Sequence, residues 1–176
     1  MIKGYGRISP QKSEGIKVSK SLKRVRKALQ DAGVTAEPVE MAADTRTAQQ
    51  AADAVGCALD QIAKSIIFRG INSDDVRLFI TAGGNRVDPA RAAMVAGEEL
   101  APADAALVRA KTGFVIGGVS PIGHLTPSAT YFDPRLLEFE EIWAAAGTPR
   151  HVFPIAPNVL LKISGSELSD FTVKSK

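Results

Sequence analysis

The chain has 176 residues, 45% of them hydrophobic and 23% charged, with a formal net charge of +3. These values are ordinary for a globular protein, and the length allows one domain with a substantial core. No apolar run approaches the roughly 20 residues of a membrane helix, and the basic N-terminus lacks the apolar core of a signal peptide. The single cysteine, Cys57, excludes an internal disulfide. We therefore expect a cytoplasmic protein with no membrane partner.

Positive charge is concentrated at the N-terminus. Residues 1–27 contain nine Lys or Arg residues and one acid, which gives +8, whereas residues 28–176 carry −5. Residues 1–18 show no periodicity and are rich in Gly, Ser and Lys, so we predict a mobile basic arm there and one folded domain at 19–176. The basic segment is either a surface that meets phosphates or a solvated tail and helix face, and the sequence favours neither.

Hydrophobic periodicity and capping residues predict the elements in chain order. The first half of the chain is predicted to form a helix at 19–32, a strand at 37–41, a helix at 45–56, strands at 62–69 and 76–82, and a helix at 88–97. The second half is predicted to form a helix from Pro102 to 111, strands at 114–116, 129–133, 142–145 and 151–155, a helix at 157–164 and a strand at 171–174. Helices and strands do not alternate regularly, so we predict an α+β domain with a mixed sheet rather than a doubly wound parallel sheet.

The segment 117–124 reads Gly-Gly-Val-Ser-Pro-Ile-Gly-His and is the most informative stretch of the chain. Its glycines permit positive φ and close approach of a ligand to the backbone. Pro121 fixes its own φ and pushes Ser120 towards an extended conformation. The preceding residues 114–116 read as a short buried strand. A rigid glycine loop after a buried strand is suited to pointing backbone N–H groups at a substrate.

Lys64 is the second candidate for a functional role. It lies just before the apolar, β-branched run 66–68, which is typical of an internal strand. A lysine in this position can bury its stem and present its ammonium to a phosphate or an ester carbonyl. It can equally be a strand-end lysine that only reaches water, and position alone favours that interpretation.

Other polar residues give weaker signals. His124 could orient a water or bind substrate, or it could be structural, and we interpret His151 as structural. Ser120 lacks the G-x-S-x-G elbow of serine hydrolases, and the proline after it removes the required N–H. Asp133 either lines a pocket or caps the following turn. One cysteine and two histidines provide no metal cluster, and no phosphate-binding glycine motif is complete, so we expect no metal and no cofactor.

Residues 61–68, Gln-Ile-Ala-Lys-Ser-Ile-Ile-Phe, are followed about fifty residues later by residues 112–124, which contain a G-x-x-x-P loop. This pair of segments resembles the YbaK/EbsC family of aminoacyl-tRNA deacylases, free-standing relatives of the prolyl-tRNA synthetase editing domain. The resemblance covers roughly residues 20–174. It implies a single α+β domain with a curved, partly barrel-like mixed sheet surrounded by helices. It also implies hydrolysis of the ester of a mischarged tRNA, often proline tRNA, that carries a small amino acid such as Ala, Ser, Thr or Cys. The implied partners are the 3′ end of aminoacyl-tRNA and, as a second candidate, an aminoacyl-tRNA synthetase.

The resemblance also assigns roles to residues. The signature lysine falls on Lys64 and the loop on Gly117 to Pro121, so the predicted catalytic groups are Lys64, Gly117 and Gly118. Predicted substrate contacts are Ser65, Val119, Ser120, Pro121, His124 and Asp133.

An aminoacyl ester is already activated, so its hydrolysis requires a placed water and stabilisation of the oxyanion, which N–H groups of 117–119 would supply. The water could be activated by His124, by the substrate itself or by tRNA hydroxyls. A polar pocket edge at Ser65 and His124 favours Ala, Ser or Thr over Cys as the amino acid removed.

Two other functions remain open at this point. The domain could bind tRNA or a nucleotide without turnover, or it could be a regulatory or interaction domain that has the fold without the pocket. The deacylase interpretation requires Lys64 and the backbone of 117–121 to line one pocket.

Overall fold

The computed structural model describes residues 19–175, so the predicted arm at 1–18 lies outside the described residues. The helices are α1 (Lys20–Asp31), α2 (Ala48–Val55), α3 (Pro89–Ala96), α4 (Ala105–Thr112) and α5 (Pro157–Ile163). The strands are β1 (Val39–Glu40), β2 (Ile62–Gly70), β3 (Val76–Ala82), β4 (Asn85–Val87), β5 (Leu100–Pro102), β6 (Ala129–Phe132), β7 (Ile142–Ala145), β8 (His151–Ile155), β9 (Glu167–Leu168) and β10 (Thr172–Lys174). Two 3₁₀ turns, Leu59–Gln61 and Pro134–Glu138, precede β2 and follow β6.

The strands form one large mixed sheet and one small sheet. The large sheet has the order β1-β8-β7-β2-β3-β6-β9, with β5 added on β2, and β4 pairs with β10 in the small sheet. The pairs β2–β7, β3–β6 and β6–β9 are parallel, and the remaining pairs are antiparallel. The predicted α+β domain with a mixed sheet is therefore confirmed.

Strand β2 is incompletely paired along one edge. On one side it pairs with β3 from Ala63 to Arg69. On the other side it pairs with β7 only at Ile62 and Ala63, and with β5 only from Phe68 to Gly70. No strand within residues 19–175 pairs with this second edge at 64–67, so the large sheet has a gap there.

Apolar side chains cover both faces of the large sheet. The main core joins Leu78 and Ile80 of β3 to Val25 and Leu29 of α1 and to Leu160 of α5. The alternate residues of β3 point to a second core, where Phe79 packs against Tyr131 and Phe171 with ring centroids 4.9 Å apart in each pair. A smaller third cluster packs α2 on the start of β2 and on Trp143.

Helix ends follow their local signals. The Asp88 side chain accepts a hydrogen bond from the Arg91 N–H at 3.0 Å at the start of α3, and Gly97 ends that helix with φ of 75°. Thr47 caps α2 in the same way. Within residues 19–175, no helix is both long and apolar enough to cross a membrane.

Two predicted elements are wrong. Pro102 ends β5 instead of beginning a helix, because Asp104 two residues later provides the cap of α4 and accepts a hydrogen bond from the Leu107 N–H. Residues 114–116 form no strand. Phe114 is fully buried beside α1, whereas Val115 and Ile116 are 43% and 62% exposed in a turn. Strands β4, β5 and β9, with two or three residues each, were not predicted.

Candidate active site

A cleft of about 390 Å³ opens at the gap along the edge of β2. Its volume lies within the usual range for small-molecule sites, about 300–1,000 Å³. Six consecutive residues of β2, 62–67, line one wall. Most of the other lining side chains are small or apolar. The full set of other lining residues is Thr45, Arg46, Thr47, Ala48, Ala51, Ala103, Val108, Ile116, Gly117, Val119, Trp143, Ala144, Ala145 and Val152.

Lys64 lies in the wall of this cleft, and its ammonium is held by backbone. The Nζ donates a hydrogen bond of 2.6 Å to the Asn85 carbonyl, which leaves two of its three N–H groups for another oxygen. Burial lowers the pKa of Lys64, while the carboxylates of Asp133 and Asp60 oppose that change. The ammonium is thus fixed in direction and partly shielded from water.

The turn that holds Lys64 is itself held by two carboxylates. Asp60 accepts a hydrogen bond of 2.7 Å from the Gly84 N–H. Asp133 accepts bonds of 3.0 Å from the Ala82 N–H and 2.9 Å from the Asn85 side-chain amide. Asp133 is 2% exposed, is not among the cleft-lining residues and also caps the following turn. Its predicted place at the substrate is therefore corrected to a place behind Lys64.

The glycine loop meets the same cleft. Gly117, with φ of 95°, is the third residue of a turn closed by a 3.0 Å bond from the Gly118 N–H to the Val115 carbonyl, a type II arrangement that favours glycine. Gly117 and Val119 line the cleft together with Lys64. The expected meeting of the lysine and the loop in one pocket is therefore present.

The Gly118 N–H forms the hydrogen bond that closes this turn. It is therefore not free to donate to a substrate, contrary to the prediction from the sequence. Gly118 instead allows close packing, because a Cβ at this position would lie 2.8 Å from the Thr148 Cα and carbonyl carbon. The N–H groups of Gly117 and Val119 donate to no protein acceptor within residues 19–175. Of the loop N–H groups of 117–119, these two, rather than that of Gly118, are therefore available to a ligand.

Arg24 of α1 joins both ends of the loop. Its Nε donates to the Gly123 carbonyl at 3.2 Å, and its Nη2 donates to the Gly113 carbonyl at 2.9 Å. The guanidinium also lies 4.9 Å from the centroid of the Phe114 ring. A single side chain from a helix far away in sequence therefore fixes the span of the loop.

Besides Asp133, three more of the predicted substrate contacts lie outside this cleft. Ser120 is fully buried, and its carbonyl accepts a 2.6 Å hydrogen bond from His124 Nε2. His124 and Pro121 line a separate cavity of about 280 Å³ between the loop, α1 and α5. Burial lowers the pKa of His124 and the nearby charge of Arg24 also lowers it, while the hydrogen bond to the Ser120 carbonyl opposes this change. His124 is thus a neutral brace inside the loop, turned away from Lys64.

Ser65 does line the cleft, and its hydroxyl has an unusual environment. The Oγ is buried and has no hydrogen-bond partner among residues 19–175. An unpaired buried hydroxyl costs about 1–3 kcal/mol. A ligand that supplied the missing partner would recover this free energy on binding.

Sequence reasoning missed several lining residues. Thr45, Arg46 and Trp143 have no motif that marks them, and Thr47 was recognised only as a helix cap. Within the described part of the chain, no group of three or more His, Cys, Asp and Glu side chains could hold a metal ion.

The fold defines an α+β domain of the YbaK-like editing class, and in this chain Lys64 of β2 lines one cleft together with Gly117 and Val119 of the glycine loop. The sequence model described as "Aminoacyl-tRNA editing domain" matches residues 42–163. The chain belongs to this family, and within it to the YbaK/EbsC proteins.

Relatives agree with this assignment. YwhH of Bacillus subtilis is 30% identical over 148 residues, which cover 84% of this chain and 94% of the relative. EbsC of Enterococcus faecalis, a proposed Cys-tRNA(Pro)/Cys-tRNA(Cys) deacylase, is 25% identical over 135 residues, covering 74% and 80% of the two chains. A crystal structure of a proposed trans-editing enzyme for prolyl-tRNA synthetase matches with a TM-score of 0.82 and 42% identity, covering 90% of this chain and 99% of the other.

Proposed function

We propose that the protein is a trans-editing hydrolase that cleaves the ester of tRNA mischarged with a small amino acid. The observation that carries this proposal is that Lys64, Gly117 and Val119 line one cleft. Family membership supports aminoacyl-tRNA as the substrate. A synthetase that delivers the charged tRNA belongs to the same proposal as a second partner.

The proposed mechanism needs no protein nucleophile. The ester carbonyl oxygen lies against the N–H groups of Gly117 and Val119, and Lys64 holds a phosphate or ester oxygen of the terminal nucleotide. A water attacks the carbonyl carbon, and the two N–H groups stabilise the oxyanion. Loss of one such donor in other enzymes lowers the rate by about 10²–10³. The bond from the acyl carbon to the ribose oxygen then breaks, and the leaving hydroxyl takes the proton from the water.

Water activation is assigned to the substrate. His124 faces the other cavity and donates its Nε2 hydrogen to Ser120. Asp133 is buried behind the turn at Asn85 and uses both carboxylate oxygens. The remaining sources are the amino group of the aminoacyl ester and the hydroxyls of the tRNA.

The cleft favours a small side chain on the amino acid. The volume of about 390 Å³ must hold both the terminal ribose ester and the aminoacyl group, so a small amino acid fits best. The unpaired hydroxyl of Ser65 favours an amino acid whose side chain can hydrogen-bond, which agrees with Ser and Thr in the predicted preference but gives no reason for Ala. Apolar size differences alone give only about 1–3 kcal/mol of discrimination.

The test is to incubate the protein with tRNA charged separately with Ala, Ser, Thr, Cys and Pro and to follow loss of the ester. Lys64→Met keeps the apolar stem and removes the ammonium, and we expect kcat/KM to fall at least 100-fold. Lys162→Met, at an exposed position on α5, is the matched control and should retain full activity.

The outcomes separate the alternatives. Decay of every ester at the rate of buffer alone would contradict the deacylase proposal, and salt-sensitive tRNA binding without decay would establish the binding-only function. Full activity in Lys64→Met would remove only the role assigned to Lys64.

A further inference from the structure

Helix α1 carries a basic stripe on the face opposite the core. Lys20, Lys23 and Lys27 are exposed, and they recur at spacings of three and four residues. This spacing puts them on one side of the helix, about 10 Å apart from first to last. Val25 and Leu29 on the other side are buried. The stripe is a solvent-facing array of positive charge that the core does not use.

A second basic element lies at the C-terminal end of α4, which Arg24 of α1 contacts through the carbonyls of Thr112 and Gly113. The last turn of α4 contains Arg109 and Lys111. Gly113, the residue that follows α4, packs closely against Arg24 of α1 and against Leu125. A Cβ on Gly113 would lie 2.4 Å from Arg24 Nη2 and 2.8 Å from Leu125 Cγ. The "α1–α4 surface" is defined by Lys20, Lys23, Lys27, Arg109, Lys111 and Leu125.

Most charges of this surface are unpaired. Within residues 19–175, Lys27 forms an ion pair with Asp31, whereas Lys20, Lys23, Arg109 and Lys111 form none. Leu125 is 58% exposed among them. The chain from residue 28 onward carries −5, so most of the molecule repels a polyanion. Positive charge segregated in this way favours one orientation of a phosphate backbone.

The surface also lies next to the cleft. Arg24 holds Gly113 and Gly123 at the two ends of the loop, and the cleft-lining residue Gly117 is four residues from Gly113. Four residues span at most about 14 Å. A nucleic acid whose 3′ end enters the cleft would therefore have the preceding nucleotides within reach of the α1–α4 surface.

We propose that the α1–α4 surface binds the phosphate backbone of the paired acceptor stem while the 3′ end occupies the cleft. The inference rests on the proposed deacylase function. Lys20 and Lys23 contact phosphates of one strand, and Arg109 and Lys111 contact phosphates beyond Leu125. Each neutralised phosphate contributes about 0.9 to the slope of log affinity against log salt.

The experiment compares three double variants of the full chain: Lys20→Gln/Lys23→Gln, Arg109→Gln/Lys111→Gln, and the control Arg86→Gln/Lys174→Gln. The control removes the same charge from the small sheet. Binding of uncharged tRNA is measured by fluorescence anisotropy between 50 and 200 mM KCl. Each test variant should lower the salt slope by about 1.8, equivalent to about a tenfold smaller loss of affinity over this range, and the control should keep the wild-type slope.

A second arm measures kcat/KM on charged tRNA and on a charged short oligonucleotide that has the 3′ end without the paired stem. The test variants should lose activity on tRNA and match the wild type on the short substrate. Three results would overturn the inference. They are a wild-type salt slope in both test variants, a loss of kcat/KM on tRNA no larger in the test variants than in the control variant, or a loss of kcat/KM on the short substrate as large as that on tRNA. Because the binding arm needs no ester cleavage, inactivity of the wild-type protein would refute the deacylase function separately.

Discussion

Replacement of Arg24 tests whether the glycine loop depends on a side chain of α1. Arg24 makes two hydrogen bonds to loop carbonyls, at 3.2 and 2.9 Å, and lies over the Phe114 ring. Each bond from a charged group contributes about 1.5 kcal/mol and the cation–π contact about 0.5 kcal/mol. Arg24→Gln should therefore lower the free energy of local loop opening by about 3.5 kcal/mol, which corresponds to roughly a 400-fold increase in the open fraction.

Arg24→Lys separates geometry from charge. A lysine keeps the positive charge but cannot reach the carbonyls of Gly113 and Gly123 with one planar group. We expect it to retain one of the two bonds and to lose about 1.5 kcal/mol. Lys23→Gln removes a charge from the same part of α1 without touching the loop, and it should leave loop opening unchanged.

The assay is native-state hydrogen exchange at two amides that report on the loop. The Gly118 N–H bonds to the Val115 carbonyl, and the Leu125 N–H bonds to the Thr112 carbonyl at 3.1 Å. Exchange at both should accelerate in the order wild type, Arg24→Lys, Arg24→Gln. Deacylation kcat should fall in the same order, whereas Lys23→Gln should change KM alone. Unchanged exchange in Arg24→Gln would refute the reasoning, because the loop would then hold its shape without the clamp.

Three further predictions concern single positions. Gly118→Ala places a Cβ 2.8 Å from the Thr148 backbone, so displacement of the loop by about half an ångström should lower kcat by about 10- to 100-fold. The control is Gly97→Ala, where φ is 75° and no atom lies within 4 Å of the new Cβ, and it should lower stability without changing kcat. The pKa of His124 is lowered in the folded state, so its contribution to stability is full above about pH 6.5 and is lost as the pH falls below that value; urea midpoints should drop less between pH 7.5 and 5.5 in His124→Gln than in the wild type. Ser65→Ala removes an unpaired buried hydroxyl. It should raise the free energy of unfolding by about 1 kcal/mol and Tm by about 2–4 °C, while lowering kcat/KM about five- to tenfold. A lowered Tm with unchanged kcat/KM would contradict the assignment of this hydroxyl to the substrate.

Local signals were sufficient for the main elements. Asp88 and Gly97 marked both ends of α3, and apolar runs marked β2 and β3, because caps and burial patterns lie within the element itself. Short strands such as β5 and β9 have no such signal, since two or three residues become strands only when a partner edge lies beside them.

A pair of sequence segments was enough to predict that Lys64 and Gly117 line one cleft, but it did not predict the direction of other side chains. Lys64 and Gly117 meet as expected. His124 directly follows the glycine loop, and Asp133 directly follows strand β6. Neither side chain lines the cleft. Which side of a loop a side chain takes depends on distant partners, such as Arg24 for the loop and Asn85 for Asp133.

The two halves of the proposed site are held by independent clamps that are distant in sequence. The loop is fixed by Arg24, which lies 89 and 99 residues from the carbonyls it binds. The Lys64 half is fixed by Asp60 and Asp133, which Arg135 joins through bonds of 3.0 and 2.9 Å. Neither clamp exists until α1, the large sheet and the turn after β3 are in place, so no local segment can preform the site. The donors at the cleft are therefore positioned by the completed fold, and this explains how a few backbone N–H groups and one lysine could suffice for an ester that is already activated.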